Sequence, residues 1–154
     1  MKLRNVFLSA AVFLGFAGMA HAATAEADAL KTVNDFLQDI TRRDKAAMLA
    51  SAVPHMEILS ARKSAEGGLR RLTIEQLVDL IAAQPPGKMV QTLHNPIVHV
   101  DNDLAVVWSP YTWTLDGHFS HCASESFNLL KLNGKWVMVS VVDTARDDEK
   151  TCSG

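Results

Sequence analysis

LAVVWSPYTWTLDGHFSHCASESFNLLKLNGKWVMVSVVDT, residues 104–144, is the stretch that decides the fold. Asp116-Gly117 and Asn133-Gly134 interrupt runs rich in Val, Trp, Phe and Thr. A two-residue hairpin of type I′ needs positive φ at both central positions, which Asp-Gly and Asn-Gly adopt at small cost. The two dipeptides therefore join three antiparallel strands, Leu104 to Leu115, His118 to Lys131 and Trp136 to Asp143. Upstream, Asp101-Asn102-Asp103 separates Leu104 from a fourth run, Met89 to Val100, which completes an antiparallel meander.

The turns also set a register. With Asp116-Gly117 as the loop, Leu115 faces His118, Thr112 faces His121, Trp108 faces Glu125 and Val106 faces Phe127. With Asn133-Gly134 as the loop, Leu129 faces Met138, Phe127 faces Ser140 and Glu125 faces Val142. Alternation then gathers Val106, Trp108, His121, Glu125, Phe127, Leu129, Trp136, Met138 and Val142 on one face. Val107, Tyr111, Trp113, Cys122, Val137, Val139, Val141 and Asp143 fall on the other. A bulge at Pro110 would shift the parity beyond it.

Before the meander the apolar period is helical. Leu30, Val33, Phe36, Leu37 and Ile40 recur at three- and four-residue steps. Thr41-Arg42-Arg43-Asp44 breaks this run, and Asp44 caps a short helix through Met48 and Leu49. Met56 to Leu59 reads as a short strand and Ser64 to Gly68 as a mobile loop. Thr73 and Gln76 have capping-box spacing for a helix through Leu77, Leu80 and Ile81 that stops at Pro85-Pro86. The whole is an α+β domain, with N-terminal helices packed on a curved antiparallel meander. The helices cover one sheet face; the other carries large apolar groups too, and a twofold partner covering it makes a homodimer the expectation.

At the front, Lys2 and Arg4 precede an apolar run from Val6 to Phe16 and an Ala20-His21-Ala22 cleavage signal. This is the pattern of a secretory signal peptide over residues 1–22. The run is shorter than the about 20 apolar residues of a membrane span. Residues 23–154 then form one domain in the periplasm or outside the cell, with no membrane attachment after cleavage. The 154-residue chain has 15 Lys+Arg against 17 Asp+Glu, a net charge of −2. Without a basic cluster, a nucleic-acid partner is not expected. The only two cysteines, Cys122 and Cys152, suit one structural disulfide in an oxidising compartment. A reactive thiol or metal ligand is the competing reading, though no CxxC or ligand spacing supports it.

Val106-Val107-Trp108, Tyr111, Asp116-Gly117, His121-Cys122, Phe127, Leu130, Gly134-Lys135-Trp136 and Asp143-Thr144 carry a family resemblance. Together with the preceding helices, this pattern resembles the nuclear transport factor 2-like superfamily, and more closely its SnoaL-like and lumazine-binding-like branch. The resemblance implies a cone-shaped α+β fold with a pocket between helices and sheet. The superfold hosts isomerases, cyclases, dehydratases and binding proteins, so it does not name a chemistry. The paired tyrosine and aspartic acid of the isomerase relatives find no match, since the register puts the single tyrosine, Tyr111, outside the pocket. No flavin or other cofactor is expected.

Glu125 is the leading candidate for chemistry. Set among apolar neighbours, its carboxyl is raised by desolvation toward acid–base use; the alternative is an ion pair with Arg62, Arg70 or Arg71. His121, on the same face, serves as a proton holder or a ligand partner, or is simply tied to backbone. Four residues along a strand separate the two by about 13 Å, so a ligand or water has to bridge them. Trp108 beside Glu125 is the aromatic candidate for the ligand wall, and Arg62 a candidate for an anionic group at the mouth, unless it is a solvated loop residue. The histidines do not converge, and no metal site is expected. Three functions follow as expectations. The first is a binding domain for a small, partly apolar molecule. The second is an enzyme using Glu125 and His121 for proton transfer, isomerisation or hydration and dehydration. The third is a homodimeric interaction module.

Overall fold

A computed structural model describes residues 16–62, 68–84, 88–146 and 152. The charged start of the expected signal peptide, most of the loop expected over Ser64 to Gly68, and the Pro85-Pro86 helix stop lie outside the described residues.

Helix α1 (Phe16–Arg42) runs without a break across the expected cleavage site. Ala29, Val33, Phe36, Leu37 and Ile40 are buried on its inner face, while Lys31 and Asp35 pair on the outside at 2.6 Å. Arg43 ends the helix in the left-handed region, at φ 58°. Its N–H donates to the Ile40 carbonyl at 3.1 Å. Asp44 then caps α2 (Lys45–Ala50) by accepting from the Ala47 N–H at 3.0 Å.

The chain next enters the sheet as β1 (Ala52–Ala61), longer than the four residues expected. It lies parallel to the last strand of the chain and antiparallel to β2 (Leu69–Thr73). Thr73 caps α3 (Ile74–Ala82) through a capping box with Gln76. The single run expected over 89–100 is two strands, β3 (Met89–Leu93) and β4 (Ile97–Asp101), both pairing with β5 (Leu104–Leu115). Asn95, at φ 51°, and Pro96, which has no N–H to give the ladder, account for the break. β6 (His118–Leu132) and β7 (Lys135–Thr144) complete a curved open sheet of order β2-β1-β7-β6-β5-β3, with β4 also on β5. Asp116, Gly117, Asn133 and Gly134 all have positive φ, as the two hairpin turns require.

Two bulges correct the expected register. Leu115 pairs with His118 and Thr114 with Phe119, but Trp113 then pairs with His121, leaving Ser120 as the extra residue. Every later pair moves by one, so Ser109 faces Glu125 and Val107 faces Phe127. The shift is therefore at Ser120, and Pro110 sits in regular pairing with Ser124. In the second hairpin Leu129 pairs with Met138 as expected, Val139 is the extra residue, and Glu125 faces Asp143 rather than Val142. A one-residue slip exchanges the two faces of a strand. Val107, Tyr111, Trp113, Val141 and Asp143 consequently turn toward the helices, and Val106, Trp108 and Val142 turn away.

The three helices share the inner face. Under α1 and α2, Val33, Met48, Ala105, Val107, Leu129 and Met138 form a closed core. On the outer face Cys122 and Cys152 form a disulfide with Cα atoms 5.7 Å apart. Cys122 and Arg146 exchange backbone hydrogen bonds of 2.9 and 2.7 Å beside it, so the segment after β7 is held against β6.

Candidate functional site

The other half of the inner face is open. A cavity of about 380 Å³ lies between the sheet and α1 and α3. Its apolar wall includes Phe36, Ile58, Leu72, Leu77, Phe127 and Val141; its polar wall includes Ser60, Arg62, Gln91, Tyr111, His121, Glu125 and Asp143. These polar residues come from β1 and its C-terminal end, β3, β5, β6 and β7, elements far apart in the chain and brought together by strand pairing.

Glu125 is only 4% exposed. Its carboxylate position is met by the Gln91 side-chain amide, which donates to Oε1. Burial, reinforced by the Asp143 carboxylate on the adjoining strand, pushes the Glu125 carboxyl well above the usual range, against the lowering effect of the Gln91 hydrogen bond. Glu125 thus holds a proton where an exposed glutamate has lost it. No arginine pairs with it: Arg71 binds Glu57 on the other side of the sheet, and the alternative of a Glu125 ion pair is not realised among the described residues.

Asp143 organises the remainder. Ser60 donates to one of its oxygens, and the Tyr111 hydroxyl donates to the other at 3.5 Å. Tyr111 is itself buried. Burial, together with the Asp143 and Glu125 carboxyls, raises its hydroxyl so far that it remains a donor. Its oxygen lies 3.4 Å from His121 Nε2. With the Tyr111 proton given to Asp143, Nε2 is the donor in that contact, and Nδ1 lies 3.2 Å from the Ser120 hydroxyl. Trp113 stacks on the His121 ring, with centroids 5.7 Å apart and planes 17° from parallel. The bulged Ser120 therefore joins the buried acids to the rim of the pocket.

Of the residues selected from sequence, Glu125, His121 and Arg62 all border this cavity. In the gap expected between Glu125 and His121, Tyr111 contacts His121 and Asp143, while Glu125 is hydrogen-bonded to Gln91. Arg62 is anchored, its Nε donating to Ser60 Oγ at 3.1 Å. Trp108 does not belong to the site. It faces Ser126 on the outer side and is 41% exposed, because the Ser120 bulge reverses the parity of β5. Tyr111, excluded on the unbulged register, stands in the centre. Asp143, Ser60, Gln91 and Trp113 were missed with it. The available signal was polarity in strands otherwise apolar, as where Asp143 follows Val141-Val142.

No family model matches the sequence, and no curated protein matches it. Solved structures do. A nuclear transport factor 2-like superfamily protein from Salmonella enterica superposes with a TM-score of 0.64 at 18% identity, over 86% of this chain and 98% of that one. The association domain of C. elegans CaMKII gives 0.63 at 21% identity, over 80% and 97%. A candidate dehydratase of the same family from Streptomyces avermitilis gives 0.64 at 10% identity, over 80% and 97%. The chain has the nuclear transport factor 2-like fold: N-terminal helices on a curved, open, mainly antiparallel sheet.

Proposed function

We propose that this protein binds a small, partly apolar molecule between its helices and sheet. One observation carries the reading: an apolar cavity whose inner wall gathers Tyr111, His121, Glu125 and Asp143 from three strands. Ligand sites are commonly built this way, with a few placed polar groups in an apolar wall. The protonated Glu125 offers a donor to a carbonyl or hydroxyl of the ligand. Native mass spectrometry of the protein expressed with its own leader in an exporting host tests this. The wild type is expected to carry an added small mass that Leu77→Trp, placing an indole in the cavity, does not. Bare protein in both would count against the proposal.

A second reading is an enzyme on the same scaffold, performing proton transfer, isomerisation or hydration and dehydration. It is favoured by Glu125, a buried carboxyl raised above its usual range by desolvation and by the adjoining Asp143. The likeness to the Streptomyces candidate dehydratase points the same way. Here Glu125 acts as general acid or base and His121 assists through Tyr111. A bell-shaped pH–rate profile lost in Glu125→Gln is the expected signature.

Three further features belong to this proposal. Residues 1–22 are a signal peptide that sends residues 23–154 to the periplasm or outside the cell, in keeping with the Cys122–Cys152 disulfide. Within the superfamily, the pattern of Val106 to Thr144 favours the SnoaL-like and lumazine-binding-like branch. The mature protein is a homodimer through its outer sheet face, where Leu59, Val142, Trp108 and Ile97 lie in one row across five strands, with Ser126 between Val142 and Trp108. The likeness to an association domain supports an interface role for such a surface. Sedimentation equilibrium should give twice the chain mass for the wild type and the single mass for Trp108→Glu.

A further inference from the structure

The cavity has a second polar feature, at the β2 edge of the sheet. Arg70, Ser60, Asp143, Glu125 and Ser109 are successive register partners on five adjoining strands. With neighbouring strands about 4.8 Å apart, the Arg70 backbone stands about 14 Å from that of Glu125. Arg62, just past the end of β1, shares this edge, and both arginines border the cavity. Among the described residues neither lies within ion-pair distance of a carboxylate. The other arginine of this strand pair, Arg71, is by contrast paired with Glu57. Ser60 holds Arg62 by its Nε, which leaves the two terminal nitrogens of the guanidinium for another partner. Alongside this polar row runs an apolar one, Leu72, Ile58, Val141 and Phe127, which are register partners on four of the same strands and also line the cavity.

We infer that the ligand is an amphipathic carboxylate, its anionic group held by Arg62 and Arg70 and its apolar body lying toward Tyr111 and Glu125. This deepens the small-molecule reading above and rests on it. A planar guanidinium matches a carboxylate in two parallel hydrogen bonds, an arrangement a neutral headgroup cannot supply. Charge selects within the class of anions. Asp143 stands in the same wall as the two arginines, so a headgroup with one negative charge meets less repulsion there than a doubly charged one. A phosphate monoester would bring a surplus negative charge beside Asp143.

Displacement of N-phenylnaphthylamine, a neutral fluorophore that brightens in apolar sites, tests the inference on the full chain. Phenylpropionate and phenylpropanol share one skeleton and differ in charge. The acid is expected to displace the fluorophore at about tenfold lower concentration than the alcohol, the value of a charge-assisted hydrogen bond. The preference should shrink as salt is raised. In Arg62→Gln/Arg70→Gln it should vanish while the alcohol binds unchanged, which also reports an intact pocket. Arg70→Lys should keep part of it. Equal displacement by acid and alcohol, or a preference that survives the double variant, overturns the carboxylate inference and leaves the small-molecule pocket standing. If the fluorophore does not enter the folded wild type and neither compound binds, the pocket reading fails and the inference falls with it.

Discussion

The inner face of the sheet has two halves that use the same strands differently. Toward the β5–β6–β7 ends nearest Ala105, Leu129 and Met138, side chains meet α1 and α2 and leave no room. Toward Tyr111, Glu125 and Asp143, the same three strands carry polar groups that bind one another around a cavity. Burial of apolar area stabilises the first half, at about 25 cal/mol per Å². In the second, hydrogen bonds offset the desolvation of buried polar groups with little net gain. The bulges at Ser120 and Val139 lie on either side of this polar set. They let one strand present core residues at one end and a site at the other without breaking the alternation in between.

The largest effect should come from opening the closed half. Leu129 is fully buried, and Leu129→Ala is expected to cost about 2–5 kcal/mol in urea denaturation, as for other buried leucines. A loss below about 1 kcal/mol would mean that this half relaxes as readily as the open one. Next in size is the disulfide, which closes a loop of 30 residues beside His121. Its removal in Cys152→Ser should lower stability by about 3–4 kcal/mol. Hydrogen exchange should quicken first around residues 119–123, at the open end of β6, with Ala105 and Leu129 little changed; uniform quickening would erase the distinction between the halves.

The acid–base predictions are finer. The Glu125 carboxyl is raised from 4.5 by burial and by Asp143, so the folded state binds the proton more tightly than the unfolded chain. Its contribution is fully present below pH 4.5 and is lost as pH rises from there through the folded value. Glu125→Gln should therefore be most favourable relative to wild type at alkaline pH, in paired denaturation curves at low and high pH. A difference independent of pH would sink the assignment of a buried acid. Glu75 supplies the opposite sign far from the cavity. Hydrogen bonds from Thr73, then from the His55 N–H and its own N–H, lower its pKa to about 2. That contribution is present above 4.5 and is lost as pH falls toward 2. Below pH 4.5 the wild type should thus lose stability more steeply than Glu75→Gln, with the smallest amplitude of the four, because this side chain is partly open to solvent.

The sequence by itself determined the helices and the hairpin strands with their turns, but not β2, the full length of β1 or the break between β3 and β4. Periodicity marks a helix by the positions of Val33, Phe36 and Ile40, caps mark Asp44 and Thr73, and positive-φ dipeptides mark both hairpins. All of these signals act within a few residues, where the physics is steric and local. From them the meander, the α+β class and the presence of Glu125 and His121 on one face could be read. Tertiary structure alone decided which face of β5 and β7 looks inward. One extra residue, Ser120 or Val139, reverses a whole strand, and alternating hydrophobicity on both faces gives no warning of it. The partnership of Ser60 with Asp143 likewise arises only because β1 pairs parallel with β7, across 83 residues of chain. Such a long-range pairing is favoured by burial of the assembled sheet under the helices, a property of the whole domain that no local stretch encodes.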